Sequence, residues 1–146
     1  MLISMSINFF VYRRNNAMVM ALMSIKPIYV EKILSGKKRY EYRKIPCKKK
    51  IEKILIYSTT PIMKVVGEVE VIDVLRDTPY RIWEETKMYS GTSKEFFDQY
   101  FDDRQIAIAY VLGKVTEYET PRNLTDFGIK TAPQSFVYLE GKNITI

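Results

Sequence analysis

Histidine is absent from this 146-residue chain, and cysteine occurs once, at Cys47. The first absence removes the side chain that titrates nearest neutral pH and the commonest metal ligand. The second excludes a disulfide framework and a thiolate zinc set, and makes a reducing, cytoplasmic compartment the expectation. Chemistry in this chain must run on Lys, Glu, Asp, Tyr, Ser or Thr, with no metal and no other cofactor expected. Long apolar runs are also missing. Ile7–Tyr12 is short and is followed by Arg13 and Arg14, the reverse of a signal peptide's charge order. Val19–Ile25 is far short of a membrane span. Walker, Rossmann, zinc-finger and helix-turn-helix signatures do not occur.

What is present suits one soluble domain: 47% hydrophobic and 27% charged residues, in a length too short for two comfortable cores. Met1, Met5, Met18, Met20 and Met23 are alternative starts, and Arg13–Asn16 is a polar break. Residues 1–17 therefore read as an N-terminal extension or a start assigned too early, with the domain over 18–146.

The net charge of +6 is concentrated. Between Lys37 and Lys53 lie nine basic residues against Glu41 and Glu52, while the rest of the chain is close to neutral. A basic stripe on a neutral body suits a phosphate-bearing partner, although a solvated lysine loop has the same composition.

Val19–Ile25 reads as a buried strand. Pro27 then fits the first position of a short helix with Tyr29, Val30, Ile33 and Leu34 on one face, ended by Gly36 as a left-handed cap. Lys38–Arg43 alternates, with Tyr40 and Tyr42 facing inward and Arg39, Glu41 and Arg43 opposite. Lys53–Tyr57 and Met63–Leu75 read as strands, Gly67 marking a bend. Tyr80–Lys87 reads as a helix with Trp83 as a packing anchor. A capping box at Thr92-x-x-Glu95 predicts another helix, with Phe96, Phe97, Tyr100 and Phe101 as core. Ile106–Glu119 reads as a long strand stopped by Pro121, and Ser135–Leu139 as a last short one. This order predicts an α+β domain: a bent β-sheet or partly closed β-barrel with short helices inserted.

Gly36-x-Lys38-x-x-Glu41-x-Arg43 resembles the GxKxxExR signature of the ASCH domains, which belong with the PUA-like β-barrels. Further resemblance lies in Ser24-Ile25-Lys26-Pro27, Val66–Val71, Trp83–Thr86 and Ala132–Phe136, which together span nearly the whole domain. The pattern looks most like that of small prokaryotic and phage ASCH proteins, some of them labelled transcriptional regulators. The resemblance implies binding of RNA or a nucleotide. Some relatives are amidohydrolases acting on acetylcytidine, and others are described as ribonucleases. The amidohydrolase set is a Lys–Thr–Glu triad. Lys38 matches its lysine, but Glu41 stands where the threonine is expected, so the hydroxyl nucleophile is missing.

Glu41 and Arg43, two apart on a strand, project from one face. If they meet the start of the helix at Pro27, then Lys26, Lys38 and Arg43 form an anion receptor, with Glu41 orienting the cations or accepting a base-edge N–H. Tyr57, Ser58 and Thr59 are candidate cleft residues at a strand end, and Lys48, Lys49 and Lys50 candidate phosphate contacts. Were the protein an enzyme, Lys38 and Glu41 would be its acid–base pair. Cys47 sits among lysines, which favour a thiolate, but has no base partner. Three readings stay open: a binding module, a hydrolase of RNA or a modified nucleoside, and a regulatory protein. Oligomeric state is not legible.

Overall fold

A computed structural model describes residues 18–140; the segment 1–17 lies outside the described residues. Six strands form one mixed sheet in the order β2-β5-β4-β3-β1-β6. They are β1 (Val19–Ile25), β2 (Tyr40–Arg43), β3 (Lys53–Ser58), β4 (Lys64–Asp77), β5 (Ala107–Arg122) and β6 (Phe136–Glu140). Only β1 and β3 pair in parallel. Three helices are inserted: α1 (Pro27–Leu34), α2 (Pro79–Thr86) and α3 (Lys94–Tyr100). Among the described residues no helix is long and apolar enough to cross a membrane.

β1 is apolar at nearly every position because it lies inside the sheet with both faces covered. Ala21, Met23 and Ile25 pack with Val30 and Ile33 of α1, together with Ile54, Ile56 and Tyr110. Met20 and Leu22 face the other side, with Leu55, Tyr57 and Val65. A further cluster forms where α2 and α3 cover the sheet's β2–β5 end: Tyr42, Ile82, Phe97, Phe101 and Ala109. Trp83 packs there against Phe97 at 5.0 Å between ring centroids, as an anchor.

The sheet bends because β4 and β5 are long and slip register at three places, each an irregularity that increases local twist. At one of them Gly67 lets the two backbones close up; a β-carbon there would lie 2.6 Å from the carbonyl oxygen of Thr116. The sheet does not close. Its edges, β2 and β6, share no ladder.

Two expectations change in detail. β5 runs through Pro121 to Arg122, where the strand end is exposed and the missing N–H costs no ladder bond. α3 is capped by Ser93, whose hydroxyl accepts from the Phe96 N–H, and not by Thr92. The Thr92 N–H is held by the Ser90 hydroxyl, and its own hydroxyl lies 3.4 Å from the Tyr29 phenol.

Candidate functional site

Pro27 starts α1 immediately after β1, and Gly36, at φ +80°, turns the chain out of that helix. The turn delivers Lys38 and then β2 to the end of β1. Lys26, Lys38, Glu41 and Arg43 consequently line one cavity of about 400 Å³. Its walls also include Tyr29, Tyr42, Phe96 and Tyr100, and its rim Lys44, Thr92, Gln134 and Ser135.

Lys38 is 4% exposed. Its ammonium donates to the carbonyl of Ser90 at 2.8 Å and lies over the rings of Tyr42 (4.6 Å) and Tyr29 (5.3 Å). Burial lowers its pKa from 10.5 to about 8; Lys32 and Arg43 push the same way, and Glu41 opposes them. The turn that receives it is held by a second lysine, Lys32, which donates to the carbonyl of Gly91 at 3.0 Å. Gly91, at φ +69°, packs directly on the Lys38 stem.

Glu41 and Arg43 form a pair at 2.8 Å with side chains only 10% and 11% exposed. Arg43 also reaches the far edge of the sheet. Its guanidinium donates to the Ser24 carbonyl at 3.3 Å and to the Ser135 hydroxyl at 3.1 Å. One side chain thus spans the gap between β2 and the β1–β6 end.

Tyr42 faces inward as expected, yet it also forms part of the cavity floor. Its phenol lies 2.7 Å from the Thr86 hydroxyl, which donates its own proton to the Ile82 carbonyl at 2.6 Å. Tyr42 is therefore the donor in that contact, and burial pushes its pKa up to about 12. The Thr86 hydroxyl is committed at both ends and offers no nucleophile.

The other nominated residues lie elsewhere. Tyr57 and Ser58 are buried, Tyr57 within the core on the opposite face, and neither they nor Thr59 line the cavity. Their positions follow from β3 being an interior strand, paired on both sides. Lys48, Lys49 and Lys50 occupy the exposed loop between β2 and β3, outside the cavity. The Cys47 thiol, half-buried in the same loop, is pushed up by desolvation and is not activated. Among the described residues no cluster of three or more His, Cys, Asp or Glu side chains is arranged to hold a metal.

Several wall residues carried no functional signal in the sequence. Phe96 and Tyr100 read as core by helical spacing, but α3 buries Phe97 and leaves Phe96 exposed, and all three rings line the cavity. Ser135 belonged to a matching block, but nothing local showed that its hydroxyl meets Arg43.

A family model described as "ASCH domain" matches residues 23–119. The ASCH protein of Zymomonas mobilis has a similar structure: TM-score 0.77 at 24% identity, covering 84% of this chain and 89% of that one. At that identity the likeness shows the PUA-like fold alone. An "ASCH domain-containing ribonuclease" of Zymomonas mobilis is 28% identical over 93 residues, 63% of each protein. A segment of "ATP synthase subunit alpha" from Ureaplasma parvum is 28% identical over 120 residues, 82% of this chain. The chain spans only 15% of that relative's length.

Proposed function

The chain belongs to the ASCH domain family, and from that premise we propose that its cavity binds an unpaired nucleotide of RNA. One observation carries the reading: four cations and five aromatic rings line a single cavity that has one carboxylate, already tied to Arg43. A volume of about 400 Å³ falls within the usual range of small-ligand sites, about 300–1,000 Å³. Tyr29, Phe96 and Tyr100 place aromatic rings in the wall, each with a lysine ammonium over it. Lys26 and Lys44, exposed at the rim, suit a phosphate beside the start of α1. The relative named as a ribonuclease points toward the same class of ligand.

The pH dependence supplies a test. Lys38 attracts an anion only as ammonium, so its contribution is complete well below pH 8 and is lost as the pH rises through about 8. Affinity for short labelled RNA is expected to fall across that interval. Lys38→Met should weaken binding about 10- to 100-fold at neutral pH, as loss of a charged hydrogen bond does. It should also flatten the pH profile. Titration by fluorescence anisotropy reads both, and failure to bind any RNA or nucleotide at low salt would sink the proposal.

A hydrolytic reading has a specific observation in its favour. A lysine with a pKa near 8 is neutral in about a tenth of molecules at pH 7, enough to accept a proton. Glu41 occupies the signature's hydroxyl position, so the attacking group would have to be water or one of the rim hydroxyls. Product formation from RNA or acetylcytidine, abolished by Lys38→Ala, would establish turnover.

A further inference from the structure

The segment 44–52 joins β2 to β3, and its loop 44–50 is fixed at two points. The Cys47 N–H donates to the phenol of buried Tyr110 at 2.7 Å, and the Lys49 N–H donates to the phenol of Tyr138 at 3.1 Å. Both tyrosines stand on sheet strands, so the loop's course is set by the sheet. It begins at the cavity, where Lys44 lies over the Tyr100 ring at 4.8 Å. It ends beside β6, where Lys49 lies over the Tyr138 ring and 3.9 Å from Glu140. β6 begins one residue after Ser135 of the cavity rim. At about 3.3 Å per strand residue, Tyr138 is about 10 Å from that rim.

The charges along this course are largely unmatched among the described residues. Exposed Arg81, Lys87 and Lys94 on or beside the helices each sit with a carboxylate. Lys44, Lys48 and Lys50 have no ion-pair partner among the described residues, and Lys49 has only the long contact to Glu140. A fixed backbone that crowds four like charges retains their mutual repulsion. A polyanion laid along the loop removes it and releases its own counterions.

We propose that the loop 44–50 is a second binding surface, which takes the phosphodiesters flanking the nucleotide in the cavity. The ligand is then a single-stranded polynucleotide and not a free nucleoside or nucleotide. This rests on the reading of the cavity as a nucleotide site. The loop contacts phosphates only, a chemistry that RNA and DNA strands share.

The test compares a mononucleotide with oligoribonucleotides and oligodeoxyribonucleotides about six nucleotides long, on the full chain and on a variant carrying Lys48→Gln, Lys49→Gln and Lys50→Gln. All three side chains are exposed, and an unchanged melting midpoint confirms the fold. The variant should bind the oligonucleotide about tenfold or more weakly at low salt. The slope of log affinity against log salt should fall in magnitude by about 2, at about 0.7 per phosphate on a single strand. Mononucleotide affinity should not change. The variant should lose affinity for the ribose and deoxyribose strands by the same factor, because the loop meets phosphates alone. The proposal is overturned if mononucleotide and oligonucleotide bind alike, or if the variant keeps the parent's salt slope. Should Lys38→Met lose the mononucleotide while the glutamine variant keeps the oligonucleotide, the loop fails and the cavity reading survives. Oligonucleotide binding that depends on the three lysines but not on Lys38 has the opposite meaning: the cavity reading falls and the loop stands.

Discussion

Arg43→Ala is expected to destabilise the folded chain by about 3–5 kcal/mol, the range for removing one partner of a buried ion pair. Glu41 would be left at a site where its side chain is 10% exposed, with its 2.8 Å partner gone. The Ser24 carbonyl and the Ser135 hydroxyl would lose their donor in the same step. Urea denaturation measures the loss. An exposed pair costs under about 1 kcal/mol, so a loss that small would show that the pair is solvated. Arg43→Met combined with Glu41→Met should recover part of the stability, because neither member of the pair is then left without the other. Ligand affinity should not recover with it. That separation distinguishes the pair's part in holding the fold from its part in the cavity.

Gly91→Ala should damage the site more than its size suggests. The residue sits at φ +69°, and an added β-carbon would lie 2.5 to 2.9 Å from three carbons of the Lys38 stem. Those carbons belong to a buried side chain whose ammonium is fixed on Ser90, so they cannot swing aside. Either Lys38 moves or the turn lifts, and each breaks the Lys38–Ser90 bond. Overpacking of this kind costs about 1–3 kcal/mol. RNA affinity should fall about as far as in Lys38→Met. Gly128→Ala is the matched control: it has a similar φ of +74° but open space around it, so it carries the backbone strain without the clash. Equal melting midpoints and equal affinities in the two variants would refute the packing argument.

Local punctuation made much of the fold legible. Pro27 and Gly36 bracket α1, Pro79 opens α2, and strict alternation marks β2, because each feature acts over a few residues. The convergence of Lys26, Lys38, Glu41 and Arg43 was readable for the same reason: a single helix-turn-strand unit carries all four. The opposite wall was not. Phe96 and Phe97 are adjacent and equally apolar, and only the docking of α3 on the sheet decides that Phe97 enters the core while Phe96 stays 38% exposed at the cavity. Tyr57 failed as a cleft residue because strand order cannot be read from one strand. β3 is flanked by both β1 and β4, which buries its side chains on both faces. The contact of Lys38 with Ser90 joins positions 52 residues apart, beyond the reach of any local pattern.

The sheet's edges meet through a guanidinium and not through a ladder, and this gives the cavity an adjustable dimension. In a closed barrel the bore follows from strand number and stagger, so its width cannot change without re-registering every strand. Here the spacing between β2 and the β1–β6 end is spanned by the reach of the Arg43 side chain. The aperture accordingly rests in part on one side chain, within limits set by the core that packs β1 against β5.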